Sequence, residues 1–237
     1  MKPSTGLVLK TLMLLAVCGL AKAAPVQTYS VPHDGDFFAV ETGPFWLQNV
    51  SAGSGSLSVD FRFKSKWGVT IPLGWELGNG FSAAFSGGWS GARISGVVGR
   101  VGGSSQAAAV NGGIDFIPLM ASVAWRTHLA GGLQWYLGLG AGGVRTNGTF
   151  RAYDNASAKS ITYGQLGGPT AVFGGLDGAS WSFGFEAFTG FAYEFSETTS
   201  LTLGYRYLRS GTALTVNGAA SASLGGHSVE LGLHVRL

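Results

Sequence analysis

Residues 181–195, WSFGFEAFTGFAYEF, decide how this chain folds. In an extended chain Trp181, Phe183, Phe185, Ala187, Thr189, Phe191, Tyr193 and Phe195 share one face. Ser182, Gly184, Glu186, Phe188, Gly190, Ala192, Glu194 and Ser196 share the other. A period of two held over the whole stretch predicts a β-strand longer than the roughly 9 to 11 tilted residues that cross a bilayer. A large apolar face set against Gly, Ser and Glu is not the pattern of an ordinary soluble core.

The same alternation recurs along the chain. It predicts eight strands, at 37–47, 67–77, 81–91, 114–127, 133–144, 181–195, 200–209 and 227–237. Connections of two kinds alternate between them. Residues 78–80, 128–132 and 196–199 are short and suited to hairpins, whereas 49–66, 92–113, 145–180 and 210–226 are long and rich in Gly, Ser, Ala and Asn. That short-long rhythm predicts an all-β, eight-stranded antiparallel up-and-down transmembrane β-barrel with short periplasmic turns and long extracellular loops.

Composition agrees with the pattern. Charged residues are 11% of the 237-residue chain and 40 residues are Gly, too few charges and too many glycines for an ordinary soluble surface. Residues 1–23 read as a cleaved secretory signal: Lys2 and Lys10 supply positive charge, 11–20 is an apolar run too short to span as a helix, and Ala21-Lys22-Ala23 fits a small-x-small cleavage site. Lipidation at Cys18 is the competing reading, disfavoured by the bulky Val17 before it. Cleavage after Ala23 removes the only Cys, and with it any disulfide, thiol nucleophile or Cys metal ligand. It also removes three of the 15 basic residues and none of the 12 acidic ones, so the net +3 disappears and nucleic acid is not an implied partner. Residues 24–36 form a short periplasmic N-terminal segment in this reading, and 37–237 the barrel.

Alternation alone leaves open which face is outside; size decides it. An eight-stranded barrel has an interior just wide enough to be filled by side chains. The apolar faces carry Trp67, Trp75, Phe81, Phe85, Trp89, Trp125, Trp135, Trp181, Phe183, Phe185 and more, which cannot all fit within. The tryptophans sort by strand direction: Trp46, Trp67, Trp89 and Trp181 fall at loop ends, and Trp75, Trp125 and Trp135 at turn ends. That predicts two interfacial girdles.

The stretches Trp67-Gly68-Val69 through Leu73-Gly74-Trp75-Glu76-Leu77-Gly78-Asn79-Gly80-Phe81, 119–123, 137–142, Leu203-Gly204-Tyr205-Arg206-Tyr207-Leu208 and 227–233 resemble the eight-stranded outer-membrane β-barrel family related to opacity proteins and the OmpA barrel. The resemblance covers nearly all of the chain after the signal. It implies residence in the bacterial outer membrane with both termini periplasmic, insertion by the barrel-assembly machinery, and outer-membrane lipids as surroundings. The terminal strand departs from the family pattern by ending in Leu237 rather than an aromatic. Because members range from anchors to adhesins and modest pores, the resemblance bears on fold more than on activity.

Inward positions carry Glu41, Glu76, Glu186, Glu194 and Glu230 against Arg126, Arg206 and Arg236. An Arg facing lipid at the midplane costs about 2–4 kcal/mol, so these groups are expected inside. By height, Glu76, Glu194, Arg126 and Arg236 form a lower layer, and Glu41, Glu186, Glu230 and Arg206 a middle one. They read as a polar plug; a gated ion pathway opened by breaking an Arg206 pair is the alternative.

Catalysis of the lipid A hydrolase or acyltransferase kind needs a Ser activated by a His and oriented by a carboxylate. His33 precedes the first strand, His128 sits at a turn, His234 points into the lumen, and His227-Ser228 are neighbours whose side chains face opposite ways. The reading is therefore not an enzyme, with no catalytic residue, cofactor or metal site. The Gly138 to Gly143 run lacks the helix a dinucleotide site requires. At the outer ends Lys64, Lys66 and Arg145 lead a set of basic residues that suits lipopolysaccharide phosphates, or is simply solvated charge. The function that follows is a structural or surface-interacting outer-membrane barrel, with a porin-like channel second and a lipid A-modifying enzyme a distant third.

Overall fold

The computed structural model describes residues 34–54, 57–101, 104–153, 178–216 and 220–237; the expected signal, 1–23, and most of the expected N-terminal segment lie outside them. The described chain is all strand and turn: β1 (Asp34–Leu47), β2 (Val50–Ser54), β3 (Leu57–Gly78), β4 (Phe81–Val101), β5 (Ser104–Ala130), β6 (Leu133–Tyr153), β7 (Gly178–Glu194), β8 (Thr199–Val216) and β9 (Ala220–Arg236). The strands pair antiparallel in sequence order, and β1 pairs with both β3 and β9. The sheet therefore closes on itself. β2 resumes the line of β1 after Gln48 and Asn49 and pairs only with β3, so the closed barrel has eight strands. Closure removes the unpaired edges that a membrane interior cannot hydrate.

Three tight turns close one end. Gly78, Asn79 and Gly80 all take positive φ (84°, 52° and 80°), as do Gly131 and Gly132 (57° and 82°), a conformation open to Gly and tolerated by Asn. The expected turn at 128–132 shrinks to those two glycines, because His128 pairs with Gln134 and Ala130 with Leu133. The third turn is held by reciprocal backbone bonds between Ser196 and Thr199, and Phe195, expected in a strand, lies just past the end of β7. The strand expected from residue 37 begins at Asp34, so three residues assigned to the N-terminal segment belong to the barrel.

At the other end the loops expected at 49–66, 92–113, 145–180 and 210–226 are corrected. Strand pairing continues far into each: Leu57 opposes Val101, Val101 opposes Ser104, Ala109 opposes Tyr153, and Val216 opposes Ala220. Small Gly, Ser and Ala residues look like loop in sequence. They extend the ladder here because each strand has a partner ready to accept its backbone bonds. Residues 154–177 lie outside the described part. The result is a barrel whose walls rise as β-ribbons beyond its apolar belt.

The outer wall is apolar. Trp67 is 66% exposed, Leu139 66% and Phe183 70%, and Ile71, Leu73, Phe85, Val123, Leu137, Leu203, Leu231 and Leu233 are exposed with them. So continuous an exposed apolar surface is a lipid-facing one. Inside, glycine makes room for rings. Gly138 lies directly opposite Phe188, and a Cβ on it would run into the Phe188 ring; a Cβ on Gly226 would likewise run into the Phe45 ring. Gly138→Val should therefore destabilise the barrel by about 1–3 kcal/mol through overpacking. Urea unfolding in detergent measures this, with Ala141→Val on the lipid-facing side as the neutral comparison.

Candidate functional site

The candidate site is the lumen, built from every second residue of the eight barrel strands. Arg206 of β8 sits at its middle. It donates from Nη2 to Glu41 Oε2 of β1 (2.5 Å), from Nη1 to Glu186 Oε2 of β7 (2.7 Å) and from Nε to Glu230 Oε2 of β9 (3.0 Å). β7, β8, β9 and β1 are consecutive around the wall, so one guanidinium binds four strands, including the two that form the closing seam. The Arg206 side chain is 11% exposed and Glu186 only 2%. Phe188 covers the guanidinium at 5.1 Å from its ring centroid, and Ser228 donates to the other Glu230 oxygen at 2.7 Å. Glu186 Oε1 is buried without a hydrogen-bond partner.

A second layer lies toward the short turns. Arg126 of β5 donates to Glu76 of β3 (3.2 Å) and meets His234 Nε2 of β9 across the lumen (3.2 Å), while His234 packs against the Phe37 ring at 4.5 Å. Arg236 donates to Glu194 Oε1 (2.7 Å) and to the Glu197 carbonyl (3.1 Å). All eight charged residues picked out from the sequence face inward, in the two groups their heights gave. Charge-assisted bonds of this kind are the strong ones, and they leave little cation free inside the barrel.

Toward the ribbons the lumen changes character. Phe45, Leu47, Val50, Phe61, Ala92, Ile94, Ile114, Phe116, Met120, Val144, Leu208 and Leu224 form one buried apolar cluster, against which Phe63 packs. Sequence reading missed this plug. Its signals were Phe45 on a face otherwise filled mostly by small residues, and Ile94, Phe61 and Leu224 inside segments taken for loops. Two lumen cavities border Arg206. One, of about 60 Å³, lies between the charged layers against Glu41, Ser82, Ser122, Tyr136 and His234; the other, of about 20 Å³, lies below the apolar plug against Phe45, Thr70 and Leu208. They hold a few waters at most.

The tryptophans are all on the outer wall, and each is exposed except Trp135, which is half-buried. Trp135 donates to Thr189 Oγ1 at 3.0 Å and meets Trp125 edge-on at 5.9 Å. Trp46, Trp67, Trp89 and Trp181 stand toward the ribbons, and Trp75, Trp125 and Trp135 toward the short turns. Of the basic residues picked out for lipopolysaccharide, Lys64 and Arg145 are exposed, while Lys66 bonds Asp115 at 3.4 Å. The structure does not gather these three into one group, because Arg145 is on β6, beyond β4 and β5 from the lysines.

Among the described residues the histidines bond Gln48, Tyr205, Arg126 and Gln134, and His234 lies directly opposite Ser200 in the β8–β9 ladder with both side chains buried. His227 is outward, held between Tyr205, which bonds its Nδ1, and Gln48 at 2.8 Å from its Nε2, while Ser228 is inward on Glu230. His128 lies 3.5 Å from Gln134 Nε2, and His33 lies outside the described residues. Among the described residues no group of three or more His, Cys, Asp or Glu is placed to hold a metal ion.

No family model matches the chain, and no curated protein matches it by sequence. Solved structures do match in shape. Outer membrane protein OprG of Pseudomonas aeruginosa is similar at 13% identity over 86% of this chain and 98% of its own, with a TM-score of 0.51. The outer membrane protease OmpT of Escherichia coli is similar at 9% identity over 89% and 99%, with a TM-score of 0.50. The fold of this chain is that of outer-membrane β-barrels. At such identities the likeness reaches the fold and goes no further.

Removing Arg206 strands three carboxylates in a narrow, largely buried lumen, so Arg206→Ala should cost about 3–5 kcal/mol. Adding Glu41→Gln and Glu230→Gln should recover part of that loss. Unfolding midpoints in detergent for the single and triple variants check both; equal stability of all three would remove Arg206 from its structural role.

Proposed function

We propose that this chain is an integral outer-membrane protein with a structural or surface-interacting role: a sealed barrel that anchors its long connections at the cell surface, with both termini periplasmic. The observation that carries this reading is the double closure of the lumen. Two layers of ion pairs fill its lower and middle levels, and an apolar cluster fills the level above. A solute would have to break charged bonds and then cross a packed hydrocarbon plug. An eight-stranded interior has no spare width for that.

The exterior supports the location. The Trp46, Trp67, Trp89, Trp181 group and the Trp75, Trp125, Trp135 group serve as the two interfacial girdles around the apolar belt. Lipids of the outer membrane are then the obligatory surroundings, and the barrel-assembly machinery the transient partner. The barrel is read as non-catalytic, since its lumen carboxylates and guanidinium groups are engaged with one another and its outward histidine is bonded to Tyr205 and Gln48.

Planar-bilayer recording on the refolded wild type should give no steady conductance, whereas Arg206→Ala, where it folds, should give at most brief openings. A large steady wild-type current would establish the porin-like reading instead. For orientation, single cysteines are placed at Ser95, on the ribbon side, and Thr198, in a short turn. On whole cells a membrane-impermeant maleimide should label the first and spare the second.

A further inference from the structure

We infer that the outer wall formed by β3 and β4, at the ribbon edge of the apolar belt, is a binding site for lipid headgroups carrying more than one phosphate. Lys64 and Arg93 are directly opposite each other on these two strands, and both are exposed. Like charges placed across a strand pair repel, and the arrangement gains from an anion between them. Arg62, two residues along β3, is exposed on the same side, since its neighbours Phe61 and Phe63 turn to the interior.

Lys66 completes the group from below. A register shift between Ser65 and Val69 lets Lys66 and Trp67, adjacent in sequence, both reach the outer wall. The Lys66 side chain crosses β4, passing 5.8 Å from the Trp89 ring centroid, and bonds Asp115 of β5 at 3.4 Å. Four cations thus share one wall with Asp115 and with Asp60, which lies two residues beyond Arg62. Among the described side chains of this wall the cations outnumber the carboxylates four to two.

Position selects a lipid as the occupant. Trp67 and Trp89, both exposed, lie immediately below the cations on the same strands, and the apolar wall of Val69, Ile71, Leu73 and Phe85 continues beneath them. A molecule that meets this face presents acyl chains to the apolar wall and anionic groups to Arg62, Lys64 and Arg93. A single phosphate can sit between one pair of these cations, so the excess of charge favours a headgroup with two. Arg209, on β8, stands on the opposite side of the barrel and takes no part.

This inference rests on the bilayer location proposed above, so insertion is scored separately by flotation with phosphatidylcholine vesicles. The full exported chain in maltoside micelles is titrated with lipid A bearing both phosphates, and binding is read by native mass spectrometry. Affinity should fall on the order of tenfold in Lys64→Gln/Arg93→Gln, and by a similar amount for wild type when one phosphate is removed from the lipid. Arg209→Gln should stay within about twofold of wild type, and raising salt should weaken wild-type binding. Equal affinity of the double variant and wild type, an equal loss in Arg209→Gln, or salt-independent binding by a protein that floats with vesicles would each overturn the site while leaving the membrane reading intact. A protein that fails to float would remove the membrane reading itself.

Discussion

One guanidinium holds the barrel's closing seam. Arg206 reaches β1, β7 and β9 from β8, so the first and last strands of the chain are tied through a bond network as well as through their own ladder. Those two strands are the most distant in sequence, and their pairing carries the largest loop-closure cost in the fold. The network can form only once the seam is shut, because its carboxylates come from both sides of it. Charge in the lumen and closure of the sheet are therefore one event in energetic terms.

The layers above and below follow from that arrangement. With lipid outside, large apolar side chains have a favourable place on the wall, and the interior is left to whatever fits. Near the short turns what fits is two more guanidinium groups with their carboxylates, His234 and a small cavity. Near the ribbons it is a set of packed Phe, Ile and Leu side chains. The interior thus passes from ionic to hydrocarbon along its axis. Lumen charge stops short of the ribbon end, and the anchor role proposed above rests on that change.

The ribbons extend the same logic. A strand that leaves the apolar belt re-enters water, where backbone groups could be satisfied without pairing. Here they pair anyway, and Phe61, Ile94, Ile114 and Leu224 pack together beneath them. The exposed cations at the boundary, Arg62, Lys64 and Arg93, stand where the wall changes from hydrocarbon-facing to water-facing.

The sequence by itself determined which faces are apolar, where the tight turns fall and which charged residues must hide, because a period of two sorts neighbours by face and bilayer thickness sets strand length. That is how Glu41, Glu186, Glu230 and Arg206 were legible as one layer from their positions along four separate strands. Tertiary structure alone decided the rest. Gly, Ser and Ala segments carry no strand signal of their own and become ribbon only when a partner strand lies alongside, so the true lengths of β3 to β6 were hidden. The apolar plug was hidden for a related reason: Phe45, Phe116 and Ile94 are far apart in the chain, and their contact exists only after the wall has curved around to bring them face to face. The gathering of Lys64, Arg93 and Lys66 likewise depended on strand register and on one shift between Ser65 and Val69, which no local pattern specifies.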